Sequence, residues 1–430
     1  MKKTIRPLFV AALGIASLSA LTACDVKAKE YEKGTPVKVG LICLHNNQST
    51  YDKNFIDGLA SAVSDLGEKR VADGKALVKT DIPESRACYN AAKELVKQGC
   101  NVIFADSFGH ESSMLEAARK WPQVQFCHAT GTKALTEKVS NYHNAFASIY
   151  EGRYLAGYAA GIKLQSMIDN NQLKAENYDA NGNIKLGYIG AWQYAEVISG
   201  FTSWYLGVKE VVNNVVMDVT YTKSWYDSTA EAAGATTLIG RGAALISQHA
   251  DSMGAPNTCE TAGVPDVGYN ISTESECPNT YLAHSKIDWA PYYKAVINAM
   301  FDGKAIEGEK NGNFTGTLAT NSVQYEVKDS AAKAQCDVIK AELEAGTRKV
   351  FDCSKFTVTK SESENVNATL DENGHLTSYL ADVEDMGDYA GDTNVIKTEN
   401  GITYFDESSN RSAPYFDLRI DGISYLNLGF

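Results

Sequence analysis

Catalytic motifs are missing from this chain. Its 430 residues contain no G-x-S-x-G, no H-E-x-x-H, no Walker A loop and no G-x-G-x-x-G, so the common hydrolase, zinc-protease, nucleotide-hydrolysing and dinucleotide sites have no basis in it. The absence of C-x-x-C removes zinc ribbons and thioredoxin-type redox sites. Positive charge is in deficit: 40 Lys and Arg face 53 Asp and Glu, a formal net charge of −13. No Lys/Arg stripe offers the basic face that nucleic acid requires. Seven histidines are scattered, and His249, two residues before Asp251, reads as a polar cleft or core residue rather than a base. After the N-terminal segment no 18-residue apolar run occurs, so no further membrane span is expected. What remains is a hydrophobic fraction of 44%, enough for a sizeable core and too high for a disordered chain.

The first 23 residues read as a processing segment. A short basic stretch, MKKTIRP, precedes the apolar LFVAALGIASLSALTA, and the run closes on Leu21-Thr22-Ala23-Cys24. That ending resembles a bacterial lipobox, with Cys24 as the lipidated first residue of the mature chain. Residues 24–36 then form a lipidated polar tether that holds the protein at the cell membrane, facing the exterior or periplasm. Eight further cysteines follow. In an exported chain they permit disulfides, with Cys259–Cys277 and Cys336–Cys353 close enough in sequence to pair, whereas Cys43 and Cys127 sit in apolar strand patterns as buried thiols.

From residue 37 the pattern alternates. VKVGLICL, ALVKTDI, NVIFADS and VQFCHAT read as strands, separated by helical stretches such as NFIDGLASAVSDLG and SRACYNAAKELVKQG. Fully apolar strands alternating with helices imply a doubly wound parallel sheet. After the helix YEGRYLAGYAAGIKLQSM the order repeats through IKLGYIGA, VVMDVTYT, AALISQHA, VGYNIS and TYLAHSKI. The fold class is therefore α/β, with two such lobes joined by a hinge. Residues 37–147 and 282–330 are assigned to the first lobe, and residues 148–281 and 331–430 to the second with a C-terminal appendage. GTLATNSVQYEV reads as one strand, and GITYFDE and YFDLRI as short strand-like pieces of the appendage.

One phrase occurs twice, as Ala105-Asp106-Ser107-Phe108-Gly109 and Ala250-Asp251-Ser252-Met253-Gly254. Each follows the third strand of its lobe. Ligands bind at the carboxyl ends of parallel strands, so both phrases belong at a cleft between the lobes. Asp106 and Ser107 read equally well as helix caps. Aromatic residues gather at the same strand ends: Tyr51 and Phe55, Phe108, Trp192, Trp225 and Trp289. Rings interleaved with Asp, Asn and Ser suit a flat polar heterocycle, stacked on its faces and hydrogen-bonded at its rim.

Several stretches together resemble the basic-membrane-protein type of ABC transporter substrate-binding lipoproteins, similar to purine nucleoside receptors. They are YDKNF after the first strand, NAFASIYEGRYLAGYAAG, KLGYIGAWQYAEVISGF, SWYDSTAEAAGATTLIGRGAALISQHADS and SKIDWAPYY. The resemblance implies a type I periplasmic-binding-protein fold, no enzymatic activity, no cofactor, a purine nucleoside or nucleobase ligand, permease subunits as partners, and a monomer. It puts Phe55 and Trp192 on the two faces of the base, Asp251 and Asn270 at its edge or the ribose, and Asp288 and Trp289 at a crossing between lobes. Three positions depart from the family pattern. Thr130 and Asn270 stand where Asp is usual, and Ser285 stands where a ribose-binding Lys would fall. A free nucleobase or a flavin therefore stays open as ligand, as does a sensor or adhesin built on the same fold. An enzyme acting on nucleosides is the remaining rival.

Overall fold

The structure is a computed structural model that describes residues 31–384 and 391–428. The signal segment and Cys24 lie outside these residues. In the first lobe β1 (Val39–Ile42), β2 (Leu77–Lys79), β3 (Val102–Ala105), β4 (Gln125–Ala129) and β5 (Tyr142–Ala147) alternate with α1 (Thr50–Arg70), α2 (Arg86–Lys97), α3 (Glu111–Lys120) and the short α4 (Ala134–Glu137). Helix α5 (Ile149–Asp169) opens the second lobe. There β6 (Ile184–Gly190), β7 (Val215–Tyr221), β8 (Leu245–His249), β9 (Asp266–Tyr269) and β10 (Tyr281–Ile287) alternate with α6 (Ala195–Val211), α7 (Ser228–Gly240) and α8 (Gly254–Ala262). Helix α9 (Ala290–Asp302), β11 (Glu309–Lys310) and β12 (Asn313–Gly316) return to the first lobe, and β13 (Val323–Val327) and α10 (Ser330–Glu344) to the second. Beyond them, β14 (Ala368–Leu370), β15 (Leu376–Ala381) and β16 (Thr393–Asn394) form a small sheet, β17 (Ile396–Glu399) and β18 (Ile402–Phe405) a hairpin, and β19 (Ile423–Tyr425) pairs in parallel with β7.

The two large sheets run β11-β12-β5-β4-β3-β1-β2 and β13-β10-β9-β8-β6-β7-β19. Strands β1, β3 and β8 are buried along their whole length, as sheets covered by helices on both faces require. Side chains start several helices. Ser49 accepts from the Asp52 N–H, Ser85 from Ala87, Asp227 from Ala230 and Asp329 from Ala332, each cap contributing about 1 kcal/mol. The small residues of α5 let it lie directly on α6. A Cβ at Gly157 would fall 2.2 Å from the Trp204 carbonyl oxygen, and one at Gly207 would fall 2.2 Å from that of Tyr154.

Strand pairing corrects the expected division. Tyr281–Ile287 and Val323–Val327 pair with each other inside the second sheet, so only the stretch between them, with α9, β11 and β12, belongs to the first lobe. GTLATNSVQYEV is accordingly two strands. The chain leaves β12 at Gly316, turns through Asn321 at φ 57°, and enters β13 in the other lobe. The alternation of apolar residues on both sides of the turn hid the break. Among the described residues the chain thus crosses between lobes three times, at Ala147–Ile149, Ile287–Ala290 and Gly316–Val323, and the crossings are tied together. The Ser148 N–H donates to the Gly316 carbonyl (2.8 Å) and the Asp288 N–H to that of Ser322 (2.8 Å).

Other expectations also change. All eight described cysteines are buried free thiols. Cys277 Sγ points to Asn257 Oδ1 (3.6 Å) and Cys336 Sγ to the Leu155 carbonyl (3.6 Å), so neither expected pair is bridged. The end of the expected tether is docked, with the Gly34 N–H on the Phe301 carbonyl (3.0 Å). Of the tail pieces, GITYFDE contains β18, whereas YFDLRI forms no ladder and instead buries Phe416, Leu418 and Ile420.

Candidate functional site

The carboxyl ends of the two sheets face each other across a narrow cleft, whose empty volume is about 350 Å³ with the open solvent at its mouth included. The first lobe supplies Leu44, His45, Tyr51, Asp52, Ser107, Phe108 and Thr130; the second supplies Glu196, Trp225, His249 and Asp251. The lobes also touch directly at this edge. The Thr50 N–H donates to the Asp251 carbonyl (2.9 Å), Asn54 Nδ2 to Asn270 Oδ1 (3.2 Å), and the rings of Phe108 and Tyr194 stack at 5.0 Å.

Start-of-helix geometry places the first-lobe groups. The Ser49 cap presents Asp52 inward, where Asp52 accepts from the His45 N–H (2.7 Å) and the Ser49 hydroxyl (2.5 Å). Burial pushes the Asp52 carboxyl up, but these hydrogen bonds outweigh it and leave the group below its ordinary value. Tyr51 is fixed by its hydroxyl on the Asp106 carbonyl oxygen (2.9 Å). Asp106 itself is fully buried and accepts from the Leu44 N–H (3.1 Å). Burial, then the neighbouring Asp52 charge, raise its carboxyl well above the usual range.

In the second lobe the Asp251 N–H donates to the Trp225 carbonyl (2.9 Å), which joins the β7 and β8 loops. Burial, followed by the charges of Asp52, Glu231 and Glu196, raises the Asp251 carboxyl well above its ordinary value. Burial moves Glu196 up to about 7, with Arg153 opposing. Burial and then Arg153 push His249 well below its usual range. The wall is therefore rings plus carboxyl groups, with no Lys or Arg in it. Such a wall recognises a ligand by stacking and by hydrogen bonds to its polar rim.

Cys43 Sγ and carboxylate oxygens of Asp52 and Asp106 lie within 4.8 Å of one another, the one cluster with metal-ligand character found among the described residues. Both Asp52 oxygens are already used by His45 and Ser49, and burial, then Asp106, push the Cys43 thiol far up. The donor set fits a hydrogen-bonded cluster rather than a metal site.

Of the residues singled out from sequence, Tyr51, Ser107, Phe108, Trp225 and Asp251 line the cavity. Asp106 stands behind the wall as a support. Neither Asp106 nor Ser107 caps a helix through its side chain: Ser107 Oγ donates to Glu84 Oε1 (2.5 Å). Phe55 is not in the wall. It is buried and stacks on Trp289 at 4.2 Å, so both rings are core beside the second crossing. Trp192 stacks on Tyr194 at 6.0 Å, outside the wall. Asn270, at φ 69°, bridges the lobes through Asn54. Sequence reasoning passed over Leu44, His45, Asp52 and Glu196 as wall residues, whereas Thr130, marked there as a departure from the family pattern, does line the cavity. Asp52, in YDKNF, and Glu196, in YAEVISGF, both fall in the first turn of a helix that follows a strand, which is the signal that would have found them.

Two parallel α/β lobes with three crossings and a cleft at their facing strand ends define a type I periplasmic solute-binding fold. A solved solute-binding protein of Aeropyrum pernix shares it, with a TM-score of 0.55 at 16% identity over 76% of this chain and 95% of that one. The chain belongs to the Bmp family, described as ABC transporter substrate-binding protein, PnrA-like, which matches residues 41–342. It is 30% identical to a purine-binding protein of Brucella abortus over 52% of this chain and 58% of that one. It is 28% identical to a putative ABC transporter glucose-binding protein of Haloferax volcanii over 59% of this chain and 60% of that one. The match thus spans about three fifths of each of these relatives. An ABC transporter nucleoside-binding protein of Lactococcus lactis is 23% identical over 79% of this chain and 97% of its own length.

Proposed function

We propose that this chain is the substrate-binding lipoprotein of an ABC importer. On this reading it is held at the outer face of a membrane through Cys24 and closes as a monomer on a purine nucleoside or nucleobase for delivery to permease subunits. It binds its ligand without transforming it. The observation that carries the ligand class is the cavity wall: the rings of Tyr51, Phe108 and Trp225 among the carboxyl groups of Asp52, Glu196 and Asp251. The rings stack on the flat base, and the carboxyl groups meet exocyclic amines or ribose hydroxyls. The names of the Brucella and Lactococcus relatives agree with this class.

Because the wall comes from both lobes, the ligand makes its full set of contacts only in the closed form, and binding shifts the population toward closure. Stacking contributes about 1–3 kcal/mol per ring, so Tyr51→Ala or Trp225→Ala is expected to weaken binding by about ten- to a hundredfold. Calorimetric titration of adenosine, guanosine, free purines, riboflavin and glucose against the wild type and both variants tests this. If glucose alone binds, the purine reading fails while the substrate-binding reading survives.

A further inference from the structure

The family match ends at residue 342, yet the chain beyond it is built into both lobes. Strand β19 extends the second sheet, and Phe416 stacks on Phe351 while Phe405 packs against both at steep angles near the start of α5, where Phe351 meets Tyr150 at 5.2 Å. From this root the segment 406–414 projects onto the first lobe. The Ser412 N–H and hydroxyl both donate to Asn313 Oδ1, at 3.1 and 3.0 Å. Lys310 Nζ donates to the Ser409 carbonyl (3.2 Å), and Ser148, in the first crossing, donates to Ser408 Oγ (3.3 Å). Asn313 and Ser412 are buried, so water does not compete for their bonds. Arg411 stiffens the projection by donating to the Val383, Ala413 and Pro414 carbonyls.

We infer that the segment 406–414 is a strap across the hinge that favours the closed arrangement of the lobes and thereby raises ligand affinity. The inference rests on the hinge closure proposed above and not on the identity of the ligand. Its geometry follows from the position of Asn313, three residues before the end of β12 and so about 10 Å from the crossing at Gly316. A hinge rotation of roughly 15° would carry Asn313 about 2.5 Å away from Ser412, more than the working range of a hydrogen bond. Opening the cleft must therefore break or exchange these contacts, while the closed form keeps them. Loss of the pair of bonds to Asn313 is expected to shift the closed-to-open ratio by about tenfold, and apparent affinity falls with the fraction closed.

The test needs no ligand. Val78 and Ser424 are exposed and lie on the sheet edges farthest from the crossings, and the described native cysteines are buried. Nitroxide labels on Val78→Cys and Ser424→Cys, read by pulsed electron resonance, report the distance between lobes. Asn313→Ala, Lys310→Ala and Ser412→Ala, each checked for folding, should each move population to longer distances. Thr357→Ala, which removes the contact to Asp421 (2.6 Å) away from the first lobe, should not. Unchanged distributions in folded Ser412→Ala and Lys310→Ala, or an equal shift in Thr357→Ala, overturn the strap. A shift confined to the strap variants upholds it even if no purine binds.

Discussion

Replacing Glu196 by Gln should stabilise the protein, and chiefly at high pH. Glu196 is nearly buried at the start of α6, with Oε1 3.4 Å from His249 Nε2. Burial raises its carboxyl from an ordinary 4.5 to about 7. A group whose proton is held more tightly when folded contributes no penalty below its unfolded value, and it destabilises progressively as pH rises from about 4.5 to about 7. Full ionisation would cost up to about 3 kcal/mol, reduced to about 1–2 kcal/mol where water and side-chain relaxation reach the site. Glutamine has the same shape, keeps an acceptor for His249 and never ionises. Urea unfolding at pH 5 and pH 8 should therefore show a gain of about 1–3 kcal/mol for Glu196→Gln at pH 8 and a much smaller one at pH 5. Glu231, also moved to about 7 by burial, leaves a residual slope in the variant. A variant no more stable than wild type at pH 8, or equally stabilised at both pH values, would refute the reasoning.

Gly207→Ala should lower stability by about 1–3 kcal/mol in a melting experiment, because its Cβ would sit 2.2 Å from the Tyr154 carbonyl oxygen; an unchanged melting temperature would mean that α5 and α6 do not touch there. Trp289→Ala should cost about 3–5 kcal/mol, since the ring is buried against Phe55, and urea unfolding checks it. Thiol titration of the native protein should find Cys43, Cys88, Cys100, Cys127, Cys259, Cys277, Cys336 and Cys353 unreactive, with all eight reacting in denaturant without reductant; missing thiols would restore the disulfides.

Much of the lobe pattern was legible because parallel strands buried on both faces are written as apolar runs, such as VGLI and VIFA, between helices that close on Gly. The duplicated Ala-Asp-Ser phrase marked the cleft edge correctly in both lobes. The third crossing was not legible. Thr317–Ser322 is a short turn with Leu318 and Ala319 inside it, and nothing local says that β12 and β13 pair in different sheets. The wall was half legible: strand-end aromatics are visible in sequence, but whether a ring faces the cleft or the core depends on which distant residue packs against it. Tyr51 and Phe55 are one helical turn apart on α1, so both lie on its inner side. Trp289 then takes Phe55 into the core and leaves Tyr51 at the cavity. The appendage was illegible because its anchors, Phe351, Phe405 and Phe416, are far apart in sequence and carry no period.

The central claim is that the cavity between the lobes takes a purine. Mass spectrometry of the protein purified under native conditions, followed by release of any bound molecule in denaturant, tests it most directly. The account predicts a purine nucleoside or nucleobase in the released fraction, depleted when Trp225→Ala or Tyr51→Ala is purified in parallel. A released sugar, or a purine retained equally by both folded variants, would contradict it.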